Sequence, residues 1–156
     1  MNSFEIEKVL KRDHKVNRYF LGCFPANKIP QKPIDVSLYP FCAVVNTDNA
    51  GEPGTHWVAI FVPNPSSIEY FDSFALPPNE SINKYLIQFK NLIASQVVLQ
   101  TIQSTICGRY VIYFLSKRCR GNSFRSIEKH LSNECKSHPN NVVSSFVYRR
   151  FDWDDK

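Results

Sequence analysis

The sequence predicts an α+β fold in a single domain spanning residues 1–156, with a central, mostly antiparallel sheet flanked by helices. Three observations predict it. Apolar residues recur at helical spacing at 82, 85, 86, 89, 92 and 93, and again from 107 to 115. Short runs rich in β-branched and aromatic residues fall at 41–46, 56–62 and 68–73, the last two separated by a Pro/Asn/Ser turn. The resulting order of helix, strands, helix, strand and helices is that of an α+β chain. A length of 156 residues fits one domain and suffices to bury a core without disulfides or metals.

Each element has a local reason. Residues 2–12 read as a short helix: Asn2 can cap it, Glu5 stands at the capping-box position, and Phe4, Val9 and Leu10 form an apolar stripe. Asp13 to Asn17 break that pattern, and 18–24 are apolar and aromatic up to Pro25. Prolines at 25, 30, 33 and 40 make 25–40 extended and irregular, the kind of loop that lines a groove. Phe41 to Asn46 is the first strand, and 47–54 is a turn region of Asn, Asp, Gly and Pro. The runs 56–62 and 68–73 make a hairpin. A turn centred on residue 64 gives partner numbers that sum to 128, which sets His56 opposite Asp72.

Asn79 caps an amphipathic helix of about four turns, with Ile82, Tyr85, Leu86, Phe89, Leu92 and Ile93 facing the core. Residues 96–100 read as a strand. Residues 107–115 read as a buried helix, ended by cations in its last turn and by Gly121. A further helix over 123–135 turns Phe124, Ile127 and Leu131 inward and stops at 137–139. Residues 141–150 fit a helix or a strand, and 151–156 a tail.

Composition excludes several classes. With 43% hydrophobic and 13% aromatic residues the chain is not disordered. No apolar run reaches the roughly 18–20 residues of a membrane span, so no membrane association is expected. The N-terminus has no basic region leading into an apolar stretch, so no signal peptide is expected. Five cysteines at wide spacing include no C-x-x-C pair, which argues against a zinc site and against a disulfide framework. Cys23, Cys42, Cys119 and Cys135 are therefore read as free thiols. A net charge of +5 favours salt-sensitive contact with nucleic acid or an acidic partner, although no nucleic-acid-binding motif accompanies it.

Two stretches carry the chemistry of a cysteine hydrolase. Cys107 stands where a loop passes into a buried helix, and a helix N-terminus stabilises a thiolate. Gly108 beside it carries no side chain to block a substrate. His56 is the candidate base, because the hairpin sets a carboxylate opposite it. His14, His130 and His138 lie in polar surroundings without such a partner. Asp72 would orient His56, and an upstream amide would donate to the oxyanion alongside the Cys107 N–H. Spacing alone leaves Gln100 and Gln103 both open for that amide.

With these residues in view, the sequence resembles the adenovirus-type maturation proteases (the adenain family), whose relatives occur in adenoviruses, Polinton/Maverick elements and virophages. The resemblance runs over residues 15–118. It comprises 19–22 (Tyr-Phe-Leu-Gly), 43–47 (Ala-Val-Val-Asn-Thr), His56-Trp57, Asn64-Pro65, Tyr70-Phe71 with the acid at Asp72, Gln100, Ser104 and Cys107-Gly108. It implies an adenain/ubiquitin-like-protease fold and a cysteine endopeptidase that processes viral capsid or core precursors next to small residues. It assigns His56, Asp72 and Cys107 to the triad, selects Gln100 for the oxyanion, and sets Trp57 and Gly108 at the substrate. The adenovirus enzyme has Glu where this chain has Asp72. Its activating peptide is joined to a cysteine shortly before the nucleophile, and this chain has none between Cys42 and Cys107. DNA or a viral peptide as activator, polypeptide partners, DNA on the basic surface, and a location in the virion and the host-cell interior are further implications. A deconjugating protease for ubiquitin-like modifiers is the alternative reading. A DNA-binding or scaffold protein with an inactive site is the next.

Overall fold

The computed structural model of the chain describes residues 1–101, 103–134 and 137–152. Cys135 and the tail at 153–156 lie outside the described residues.

The centre is a five-stranded sheet in the order β1 (Phe20–Pro25), β2 (Phe41–Asn46), β3 (Trp57–Asn64), β4 (Ser67–Phe71), β5 (Asn91–Ala94). The α+β expectation holds, but the sheet is mixed rather than mostly antiparallel. The β2–β3 and β3–β4 pairs are antiparallel, while β1–β2 and β4–β5 at the two edges are parallel. The reason is connectivity: a tight turn joins β3 to β4, whereas long crossovers join β1 to β2 and β4 to β5.

Strand alternation divides the core between the two faces of the sheet. Cys42, Val44, Ala59 and Phe61 face one side, where they meet α1 (Ser3–Arg12), α4 (Cys107–Arg118), α5 (Phe124–Lys129) and α6 (Pro139–Phe151). Ala43, Val45, Val58 and Ile60 face the other, under α3 (Glu80–Leu86). Burial on both faces is why β2 reads as an unbroken apolar run. Helix α4 is buried over most of its surface, and Phe114 on it stacks on Phe71 of β4 with ring centroids 4.5 Å apart.

The capping box forms as the sequence predicts: Asn2 Oδ1 accepts from Glu5 N at 2.9 Å and Glu5 Oε2 from Asn2 N at 2.8 Å. The buried stripe of α1 is Ile6, Val9 and Leu10, whereas Phe4 is 72% exposed because it lies about 200° around the helix from Ile6. Asp13 ends α1 and caps the short α2 (His14–Asn17).

Helix α3 runs seven residues rather than four turns. The apolar spacing does continue, and Phe89 is still buried. Leu92 and Ile93, however, join β5, where pairing with β4 satisfies their backbone groups. The strand expected at 96–100 is absent, since the sheet edge is already occupied by β5. The 123–135 helix appears as α5 followed by a π turn at His130–Glu134, with Phe124, Ile127 and Leu131 buried. Residues 141–150 belong to α6, which starts at Pro139 and buries Phe151 at its end.

Candidate active site

His56 immediately precedes β3 and Asp72 immediately follows β4, so the hairpin brings both to one end of the sheet. The pairing differs from the expected register. Ala59 pairs with Phe71, Ile60 with Tyr70 and Phe61 with Glu69, so partner numbers sum to 130 rather than 128, and a bulge lies toward the turn. His56 is therefore not directly opposite Asp72. A displacement of two residues preserves the alternation of faces, so the two remain diagonal neighbours on the same side. Their side chains close the gap, with His56 Nε2 2.7 Å from Asp72 Oδ1.

Asp72 is 2% exposed and firmly placed. Its Oδ1 also accepts from Phe74 N at 2.9 Å, and its own N–H donates to Ser95 Oγ at 2.9 Å. The Phe74 ring lies 4.8 Å from the His56 ring and covers it.

Cys107 opens α4, a helix of twelve residues whose N-cap, Ile106, offers no side chain to the first turn. The first backbone N–H groups thus have no side-chain cap at that end. Because His56 commits Nε2 to Asp72, its remaining nitrogen, Nδ1, is the one available to the Cys107 thiol, which the ring influences. The backbone N–H groups of Trp57 and Gly108 also favour the anion of the sulfur.

The electrostatics follow from these contacts. Burial pulls the His56 ring down, but the hydrogen bonds to Asp72 and Cys107 outweigh it and raise its pKa to about 9. Burial pushes the Cys107 thiol up, but the bond to His56 and the Trp57 N–H outweigh that and hold it below its usual value. The pair favours imidazolium and thiolate together. Cys23 shows the opposite case: with burial acting first and the Glu7 carboxylate adding to it, that thiol is pushed up to about 12.

Gln100 is 1% exposed. Its Oε1 accepts from Ser73 Oγ at 2.6 Å and its Nε2 donates to the Ser104 carbonyl at 2.8 Å. An amide nitrogen carries two hydrogens, so Ser104 takes one and leaves the other. Gln103, the rival on spacing, is exposed.

The two residues expected at the substrate both lie against the N-terminal segment. Trp57 is half-buried and its Nε1 donates to the Met1 carbonyl at 3.1 Å. Gly108 is buried under the N-terminal helix: a Cβ there would come within 3.1 Å of Met1 Cβ and 3.3 Å of Ile6 Cδ1. Its missing side chain admits α1 against α4 and is not an opening to the sulfur. Among the described residues, no group of three or more His, Cys, Asp or Glu side chains is placed to hold a metal ion. Sequence reasoning missed Ser73, Phe74 and Ser95. Only the adjacency of Ser73 and Phe74 to Asp72 could have flagged the first two, and nothing flags Ser95.

The fold is that of a viral cysteine protease. The chain shares it with the crystal structure of the pS273R protease of African swine fever virus, at a TM-score of 0.66 and 22% identity over 94% of this chain and 66% of that one. In sequence the chain is 27% identical over 133 residues to the thiol protease R355 of Acanthamoeba polyphaga mimivirus, by its given name. It is 28% identical over 131 residues to the protease of bovine adenovirus 2, and 35% over 98 residues to the cysteine protease S273R of African swine fever virus. These matches cover 71%, 74% and 54% of this chain but only 44%, 62% and 36% of those relatives, so the chain spans less than two thirds of their length. No protein-family model matches the chain. The expected resemblance to the adenovirus-type proteases is met by relatives that carry viral thiol- and cysteine-protease names. No helix among the described residues is long and apolar enough to cross a membrane.

Proposed function

We propose that the chain is a cysteine endopeptidase that processes capsid or core precursor proteins within the virion or the infected cell. The observation that carries this reading is the placement of His56 between the buried Asp72 carboxylate and the Cys107 thiol at the N-terminus of α4. The viral protease names of the relatives support the same reaction class.

The groups divide the work as follows. Asp72 orients the ring and stabilises its cation. The Cys107 thiolate attacks the peptide carbonyl carbon, and the oxyanion is held by the free Nε2 hydrogen of Gln100 and the Cys107 N–H. The tetrahedral species collapses to a thioester as the His56 imidazolium protonates the leaving amine. Neutral His56 then takes a proton from water, whose oxygen attacks the thioester and releases the acid and the thiolate. Phe74, whose ring lies against that of His56, shields it from water. An activating role for DNA or a peptide, implied by the family resemblance, belongs to the same proposal and is tested by adding each to the assay.

The test is cleavage of a fluorogenic peptide with glycine at the scissile bond, combined with labelling by iodoacetamide. Cys107 is expected to label ahead of the other cysteines, Cys107→Ala to abolish cleavage, and His56→Ala to suppress labelling. Equal labelling of all cysteines, or cleavage that survives Cys107→Ala, would overturn the proposal.

A further inference from the structure

Gln100 lies on an irregular stretch, not on a helix or strand, yet an oxyanion donor must be fixed before substrate arrives. One residue does most of the fixing. The Ser73 carbonyl accepts from both Leu99 N at 2.9 Å and Gln100 N at 3.0 Å, while the Ser73 hydroxyl donates to Gln100 Oε1 at 2.6 Å. Ser73 is fully buried, so water does not compete for these bonds.

The side-chain bond also decides which way the amide points. With Oε1 on the Ser73 hydroxyl, Nε2 meets the Ser104 carbonyl, donor to acceptor. The flipped amide would set Oε1 against the Ser104 carbonyl oxygen, acceptor against acceptor. Without the Ser73 hydroxyl, Ser104 alone would hold the orientation. Ser73 directly follows Asp72, which orients His56. One dipeptide thus fixes the general acid–base on one side and the oxyanion donor on the other.

We infer that Ser73 is a positioning residue for the oxyanion amide, acting through Gln100 without touching substrate. The inference rests on the cysteine-endopeptidase reading. It separates acyl chemistry, which needs an oxyanion donor, from thiol alkylation, which needs only the thiolate.

The experiment compares Ser73→Ala, Gln100→Ala and the double variant. Each is assayed for kcat and KM on the fluorogenic glycine peptide, for inhibition by the matching peptide aldehyde, and for alkylation of Cys107 by iodoacetamide. Ser73→Ala is expected to lower kcat about 10- to 100-fold, less than the roughly 10²–10³ lost when an oxyanion donor is deleted outright. KM stays near that of the parent, and aldehyde inhibition weakens by a similar factor, because the hemithioacetal oxygen needs the same donor. The alkylation rate and its pH profile stay unchanged, which a general loosening of the site would not allow. In the Gln100→Ala background, Ser73→Ala is expected to have no further effect on kcat. Fully additive losses, an unchanged kcat in Ser73→Ala, or a parallel loss of alkylation would overturn the inference. If Gln100→Ala itself leaves kcat and aldehyde inhibition intact, it is the oxyanion role of Gln100 that fails. That outcome removes the inference with it and is told apart by that single variant.

Discussion

The candidate site has two halves that are held in different ways. His56 and Asp72 stand at the ends of paired strands, so the backbone ladder of β3 and β4 brings them together. Gln100 stands on residues 95–101, where the chain has left the sheet. There Gln96 N and Val97 N go to the Glu128 carboxylate, Leu99 N and Gln100 N to the Ser73 carbonyl, and the Leu99 carbonyl to the Tyr110 hydroxyl. The sheet half is placed by many cooperative bonds, none decisive alone. The coil half is placed by a few polar contacts, each with a single partner. Damage to the first should therefore appear as lost chemistry or as global instability. Damage to the second should appear as local loosening.

The largest expected effect is chemical and falls on the sheet half. Asp72→Asn keeps the shape and an oxygen to accept from Phe74 N, but it removes the charge that orients His56. The corresponding exchange in a serine-protease triad costs about 10⁴ in kcat, so a loss on the order of 10³–10⁴ is expected. Peptide hydrolysis measures it, and a loss below tenfold would mean that Asp72 is not the orienting acid.

Next comes a purely structural break in the same half. Glu69 of β4 is buried and receives two bonds from Arg118 of α4, at 2.8 Å and 3.0 Å, with the guanidinium 4.3 Å from the Phe61 ring centroid. Arg118→Ala strands that carboxylate and should cost about 3–5 kcal/mol in denaturant unfolding. What remains folded should keep the parental pH profile. A change in that profile would show that the sheet half does not act as a rigid frame.

The pH dependence separates the halves by sign. His56 is raised to about 9 and Cys107 is lowered, so imidazolium and thiolate coexist between the Cys107 pKa and about 9. Alkylation of Cys107 should be flat through neutral pH, decline as acid protonates the thiolate, and persist above pH 9. Hydrolysis should instead fall above about 9, because the proton for the leaving amine is gone. In His56→Ala the thiol returns toward the usual range near 9.0 and about one part in a hundred is ionised at pH 7. Labelling at pH 7 should then drop by on the order of 10- to 100-fold. Variants of the coil half should leave this profile alone.

The same division explains what could be read in the sequence. Caps and periodicities are local, so Asn2 with Glu5, the β2 run and the α4 stripe were legible. The hairpin was legible in parity but not in register: the turn lies beyond residue 64, with Asn64 paired to Ser67, and a bulge takes back one residue, so pairing beyond the bulge differs by two and the facing side is unchanged. Where α3 ends was not legible, because Phe89 fits both a helix stripe and the approach to β5. Residues 96–100 were misread as a strand, because Val97, Val98 and Leu99 have strand-like composition while the backbone partners of Val97 and Leu99, at Glu128, Ser73 and Tyr110, lie outside the sheet ladder. Gly108 was misread because a glycine beside a nucleophile looks the same whether it admits substrate or a neighbouring helix.

Glu128 offers the most direct way to test whether the coil half is held one contact at a time. Its carboxylate is nearly buried; Oε2 accepts from Gln96 N at 2.8 Å and Val97 N at 3.1 Å, while Oε1 takes Arg125 at 2.9 Å. Glu128→Ala leaves two backbone donors without their partner, and loss of a bond to a charged group costs about 1.5–3 kcal/mol. That cost should be paid locally, because residues 95–101 contribute no strand to the sheet. Amide exchange at Gln96 and Val97 should rise well above that of β2 and β3, and hydrolysis should fall as Gln100 loses its support from upstream. Cys107 alkylation should not change. If instead exchange rises uniformly across the sheet, the coil and the sheet unfold as one unit, and the division between the two halves does not hold.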